Sequence, residues 1–294
     1  MSTAAHRSFS FGRIAALTGN TFTGLVRLKV FYFLLLFALL LIGSSVFMAQ
    51  LSFQEEFQVL KDISLGAMSI FTSLLAIVAT AQLIPRDIEE HTIYTILAKP
   101  VPRYEYLAGK LLGVLLLLAL SLLAMCALFF AVLFVREKML ASAVMHQSGI
   151  STAEMQTALL ALRHSAFSAN LLPGIVLIYL KAALLAALTL FISTFATSNI
   201  FTIFVMVFVY FIGHLQGTAR EYWLQQNSAG WIAKTFLGLV ALLFPDLQLF
   251  NLIDDIVAGT AIPAGLFAQT AALGCVYVSV YFFFAWVAFY GKEL

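Results

Sequence analysis

Apolar residues along this chain gather into long unbroken runs separated by short polar stretches. A helix rises about 1.5 Å per residue, so roughly 20 apolar residues cross the hydrocarbon core of a bilayer. Six runs have that length: 30–48, 63–84, 111–135, 175–196, a fifth that opens on the break Thr197-Ser198-Asn199-Ile200 and continues to about Leu215, and 264–290. Another apolar run, 229–244, is short, contains Lys234 and ends at Pro245-Asp246. It reads as a re-entrant or interfacial helix. Barrel strands alternate apolar and polar residues and give a far weaker signal. The pattern therefore predicts an all-α polytopic membrane protein with six transmembrane helices, residues 1–294 forming one membrane domain.

Shorter patterns fill the gaps. Phe11, Ile14, Leu17, Leu25 and Leu28 fall at near-helical spacing beside Arg13 and Arg27. This suggests that segment 1–29 carries a helix lying in the membrane interface. Gly12, Gly19, Asn20 and Gly24 interrupt it, so a flexible tail is the alternative. This polar lead is too long for a cleaved signal peptide, and the run after it is span-length. Between the third and fourth runs, segment 136–170 contains Ser151-Thr152-Ala153-Glu154, a capping box, followed by Met155, Leu159 and Leu162 at helical spacing. Segment 216–263 holds Tyr222, Trp223 and Trp231, rings suited to a membrane interface.

Composition agrees with the runs. Of the 294 residues, 62% are hydrophobic and 10% charged. The mean hydropathy of +1.00 excludes a soluble globule, and disorder with it. A net charge of +2 is too balanced to indicate nucleic acid. Its distribution is informative. Arg7, Arg13, Arg27, Lys29, Arg86, Lys99, Arg103, Lys110 and Lys292 fall on one side in short segments. Lys61, Arg136, Lys138, Arg163, Arg220 and Lys234 are spread over longer loops on the other. The positive-inside rule then puts both termini in the cytoplasm, with 136–170 and 216–263 outside. Cys126 and Cys275 lie in apolar runs and make no metal site or disulfide framework.

Familiar catalytic motifs are missing from the sequence. There is no Gly-x-x-x-x-Gly-Lys-Ser/Thr phosphate loop, since Gly109-Lys110 is followed by Leu111. His-Glu-x-x-His and Gly-x-Ser-x-Gly are also missing, and His6, His91, His146, His164 and His214 are scattered. No catalytic residue, bound cofactor or metal is expected. Work against a gradient would draw on ions or on another chain.

The most informative stretch is 85–110. It reads as a short helix, a proline-bounded turn and a second helix feeding the third span. Pro85 suits a first helical turn, and Asp87, Glu89 and Glu90 sit where the helix dipole favours anions. Ile88, His91, Thr92 and Thr95 share one face, while Ile93, Tyr94, Ile96 and Leu97 make an apolar side. Lys99 suits the C-terminal end, and Pro100 and Pro102 stop the helix. A short amphipathic helix of this kind can dock a partner or lie on the membrane.

Glu89, Thr92, Leu97, Lys99, Pro100, Arg103, Glu105, Tyr106, Leu107, Gly109 and Lys110 together resemble the loop of type-2 ATP-binding-cassette (ABC) exporter permeases. Pro245-Asp246-Leu247-x-x-Phe250-Asn251-Leu252 resembles the Pro-Asn-Leu-x-x-Phe segment before the last span of a branch labelled multicopper-enzyme maturation permeases. The chain departs from the usual pattern at His91, Pro102 and Asp246. The resemblance implies a permease without its own ATPase, paired with a second copy or a paralogue on two cytoplasmic ATPase subunits that bind ATP and Mg. The loop helix would be a coupling helix. Arg86, Asp87, Glu89, Glu90, Thr92, Tyr94, Leu97, Lys99, Pro100, Arg103, Tyr106 and Lys110 would carry the contact, with Tyr94 and Leu97 as buried anchors. Such a protein is a multi-pass component of a bacterial inner membrane. Lipids, peptides, polysaccharide precursors and species for extracellular metalloenzyme assembly are the substrate classes implied, and a periplasmic partner is another implication.

Other residues bear on the path. Lys181 lies inside the fourth run, where a lysine at the bilayer centre costs about 2.5–3.5 kcal/mol. It reads either as a substrate-path residue contacting an anion or as a lysine snorkelling outward. Gly109-x-x-x-Gly113, Gly213-x-x-x-Gly217 and Ala182, Ala183, Ala186 and Ala187 permit close helix approach, within one subunit or at a dimer seam. Arg220-Glu221 and Asp254-Asp255 read as solvated loop charges or as an exit gate. The sequence favours a permease driven by a separate ATPase. The alternatives are an ion-coupled carrier, which needs intramembrane acids, and a membrane-embedded enzyme or scaffold.

Overall fold

The computed structural model describes residues 10–51, 56–89, 101–146, 152–167, 170–196, 198–225, 245–258, 260 and 263–291. Among them every regular element is helical. They are α1 (Phe11–Val26), α2 (Lys29–Leu51), α3 (Glu56–Ala81), α4 (Leu83–Glu89), α5 (Arg103–Met145), α6 (Thr152–Ala166), α7 (Leu171–Phe195), α8 (Asn199–Gln225), a 3₁₀ turn (Leu247–Phe250), α9 (Ile253–Val257) and α10 (Ala264–Tyr290). Six are long and apolar enough to cross a membrane: α2, α3 with α4, α5, α7, α8 and α10. The protein is an all-α polytopic membrane protein.

The packing is that of a bundle solvated by lipid. Phe33 and Phe37 on α2, Phe204 and Phe208 on α8, and Phe283 on α10 all face outward. The interior is built on α7, which packs against α10, α3, α5 and α8. Ala182, Ala183, Ala186 and Ala187 are buried there, and their small side chains let neighbouring backbones come close. Several buried hydroxyls bond locally: Ser121 donates to the Leu118 carbonyl, Thr189 to Leu185 and Ser193 to Leu190. Each hydroxyl thereby enters the apolar interior with its proton already bonded.

Two ion pairs fix depth and direction. Asp87 meets Lys110 at 2.6 Å, and Glu56 meets Arg136 at 2.5 Å. The α3–α4 segment therefore runs antiparallel to α5. Lys110 and Arg136 stand roughly 39 Å apart along α5. The hydrocarbon core is about 30 Å thick and the bilayer with headgroups about 40–45 Å. The two pairs thus lie at headgroup depth on opposite faces. The end with Lys110 also carries Arg13, Arg86 and Arg103, and is called the basic end below.

Several element boundaries differ from the pattern of apolar runs. α5 continues through Arg136-Glu137-Lys138 to Met145, and α8 continues to Gln225. Charge ends a hydropathy run, but these residues are good helix formers and nothing stops the helix. Of the four-residue break before the fifth span, Asn199 and Ile200 are already helical. Pro85 lies in the first turn of α4, as its missing N–H allows. In segment 1–29 the tail alternative gives way to helix α1, whose buried face is Thr18, Thr21 and Leu25. α6 forms with Met155, Leu159 and Leu162 on its less exposed side. The re-entrant candidate 229–244 lies outside the described residues.

Candidate functional site

The first turns of α5 carry two faces. Glu105, Gly109 and Gly113 recur every four residues on one, and Arg103, Tyr106 and Lys110 at i, i+3 and i+7 on the other. Pro102 precedes them with extended backbone (φ −61°, ψ 141°), at the N-cap of α5.

The first face holds α1. Glu105 is fully buried and accepts from the Ser10 backbone N–H at 3.1 Å, Arg13 Nε at 2.7 Å and Arg13 Nη2 at 3.0 Å. Its charge sits at the N-terminus of α1, the end favoured for an anion. The hydrogen bond from Arg13 holds the Glu105 carboxyl below the usual carboxylate range, against burial, which works the other way. Arg13 is pushed up by the same bond. One and two turns further along, a Cβ on Gly109 would lie 2.6 Å from Leu17 Cβ, and one on Gly113 would lie 2.7 Å from Thr21 Cβ. Only glycine admits α1 this closely. The order of contacts shows that α1 runs alongside α5 in the same direction. Gly109-x-x-x-Gly113 is thus a seat within one subunit.

The second face holds α4 and α10. Arg103 donates to the carbonyls of Phe289 (2.9 Å) and Tyr290 (2.6 Å), and its guanidinium lies 5.8 Å from each of their ring centroids. It caps the C-terminus of α10, where cations are favoured. Tyr106 donates to Asp87 Oδ2 and stacks on Phe289. Lys110 pairs with the same carboxylate oxygen.

The residues expected to carry a partner contact therefore divide. Arg86 and Glu89 are exposed on α4. Asp87, Arg103, Tyr106 and Lys110 spend polar atoms on internal bonds. Glu90, Thr92, Tyr94, Leu97, Lys99 and Pro100 lie outside the described residues. Sequence reasoning missed the Arg13–Glu105 clasp. Both residues were visible, one within a motif and one on an amphipathic stripe, but nothing in one sequence pairs positions so far apart.

The second motif also has a seat. Asp246 accepts from the Gln248 N–H and opens the 3₁₀ turn. Leu247 packs on Gly213, Gln248 on Gly217, and Phe250 close to Gly274. Gly213-x-x-x-Gly217 is therefore also an intrasubunit seat. The acid at 246 caps as an asparagine would.

Lys181 does not snorkel. It is 1% exposed and donates to Ser69 Oγ across the α3–α7 contact. α7 lies within the bundle, so the lysine stem finds protein on every side. Among the described residues no acid lies within ion-pair distance of it, and no group of three or more His, Cys, Asp or Glu could hold a metal. Asp255 is exposed, with its backbone carbonyl bonded to Thr260.

A family model described as ABC-2 family transporter protein matches residues 15–294. No curated protein matches the chain.

Proposed function

The chain belongs to the ABC-2 family of transporter proteins and is a multi-pass permease component of an ABC transporter; on that premise we propose that its basic end receives motion from a separate cytoplasmic ATPase. One observation carries the reading. The turns of α5 from Arg103 to Gly113 bind α1, α4 and α10 together, so the segment between α4 and α5 is anchored at both ends to one braced unit. A push on 90–100 would then tilt the base of the bundle as a body. In this reading the exposed Arg86 and Glu89, with Glu90, Thr92, Tyr94, Leu97, Lys99 and Pro100, meet the ATPase. Asp87, Arg103, Tyr106 and Lys110 transmit the load.

The wider assembly is part of the same proposal. Both termini are cytoplasmic in a bacterial inner membrane. Two permeases, identical or paralogous, sit on two ATPase subunits that bind ATP and Mg, and the complex exports its substrate. Lys181 is the proposed polar point of the path, a cation that would meet an anionic group when α3 and α7 part.

Co-purification from native membranes tests the core of this. The chain alone should hydrolyse no ATP, and the native complex should yield an ATPase. Glu89→Lys combined with Arg86→Glu should lower ATPase recovery while thermal unfolding of the permease stays unchanged. Full recovery with the reversed charges, or no ATPase in the native complex, would remove the coupling assignment.

A further inference from the structure

The elbow between α1 and α2 carries two cations, Arg27 and Lys29, both exposed. Other cations of the basic end are engaged: Arg13 by Glu105, Lys110 by Asp87, and Arg103 by the last carbonyls of α10. Among the described residues neither the Arg27 nor the Lys29 side chain has an ion-pair or hydrogen-bond partner. We propose that this elbow, with the lipid-facing stripe of α2 that follows it, seats an anionic phospholipid of the leaflet at the basic end.

Depth is the first support. Ser45 on α2 meets Ser64 on α3 at 3.4 Å, and the rings of Phe37 and Phe71 lie 5.8 Å apart. The two helices therefore run antiparallel, with Lys29 level with Thr80. That is roughly 10 Å nearer the bilayer centre than Asp87, which stands at headgroup depth. The hydrocarbon core begins about 5 Å inside the two ion pairs, so the Lys29 backbone starts below the headgroups. Running on past the Thr21–Gly113 contact to Arg27, α1 reaches a similar depth. Charge is the second. An unpaired cation at this depth is costly, and its flexible stem carries it back to the level of the lipid phosphates. Two free cations there attract an anion, and a phosphodiester headgroup supplies one while its acyl chains stay in the core. Shape is the third. Tyr32, Phe33, Leu36 and Leu40 follow Lys29 at i+3, i+4, i+7 and i+11, so they share its face, and all four are exposed. The first carbons of the acyl chains would lie along that apolar stripe. Tyr32 adds a hydroxyl one turn from the ammonium.

The proposal does not depend on an ATPase. It is tested on the full chain, delipidated in neutral detergent, by thermal unfolding and by native mass spectrometry of the retained lipid. Phosphatidylglycerol should bind saturably and raise the unfolding temperature, while phosphatidylcholine, whose headgroup carries no net charge, should do neither. Arg27→Gln and Lys29→Gln should each weaken phosphatidylglycerol binding about fivefold, and the double variant about twentyfold. Both side chains are exposed, so the lipid-free variants should unfold at the wild-type temperature. Arg163→Gln, which removes an exposed cation from α6, should leave binding unchanged. Inorganic phosphate separates the sources. If it gives the same shift at the same concentration, the ligand is a free anion and the lipid assignment fails. Equal binding of both lipids, a loss in Arg163→Gln as large as in Lys29→Gln, or wild-type phosphatidylglycerol binding in the double variant overturns the site.

Discussion

Lys110 and Lys181 are both buried lysines that reach toward the α3–α4 segment, and they are treated oppositely. Lys110, at headgroup depth, meets a carboxylate at 2.6 Å. Lys181, within the span, bonds the Ser69 hydroxyl, with no acid at ion-pair distance among the described residues. At the interface an acid is cheap to place and its charge is repaid at once. In the apolar interior a second charge must itself be stripped of water, and the Coulomb gain need not cover it. The contrast separates two ways of burying a lysine. The first is a brace whose partner is permanent. The second is a buried amine that bonds a hydroxyl in place of a carboxylate.

The largest effect is expected where the brace is cut. Asp87→Leu removes the acceptor shared by Lys110 and Tyr106 and leaves a buried ammonium unpaired. It should cost about 3–5 kcal/mol, seen as a lower unfolding temperature in detergent. Wild-type stability in this variant would erase the distinction between the two lysines. Next comes the glycine seat. Gly113→Leu should push α1 off α5 at a cost of about 1–3 kcal/mol and expose residues 10–28 to protease. Gly66→Ala is the control, because nothing lies within 4 Å of its would-be Cβ. Equal proteolysis in the two variants would mean that α1 is not held there.

Lys181→Met should move stability the other way. Removing an uncompensated charge in favour of an apolar chain of similar length should raise stability by about 1–2 kcal/mol. If transport falls while stability rises, Lys181 belongs to the path; if transport is retained, that role is lost.

The sequence made much of this legible, for identifiable reasons. The six spans follow from length and hydropathy, which the bilayer imposes on each helix separately. Both glycine pairs were visible, because close approach leaves a compositional mark. The ends of α5 and α8 were not visible, because a helix that leaves the membrane has no reason to stop at the first charge. The snorkelling alternative for Lys181 failed on a property no single run contains, the position of α7 at the centre of the bundle. Arg13 and Glu105 are each plain to see, and their pairing is not, because it depends on α1 lying parallel against α5. Tyr106 and Lys110 bond within the chain although their motif reads as a partner contact, because a motif records which residues matter without recording which way they face.

The smallest effect, and the one that isolates the α1 clasp from the Asp87 brace, is its response to acid. In the folded chain Glu105 is held below its ordinary value of 4.5 by the bond from Arg13. The folded state therefore binds its proton less readily than the unfolded state does. The stabilisation is complete above about pH 4.5 and is lost as pH falls through the lower folded value. α1 should loosen from α5 in that acid window, read as faster hydrogen exchange over residues 14–26 at a pH where the circular-dichroism signal of the spans is unchanged. Glu105→Gln should show raised exchange at neutral pH and no further rise on acidification. If the variant kept the acid-dependent rise, another group would be responsible for it, and the Arg13–Glu105 pair would not be what fastens α1.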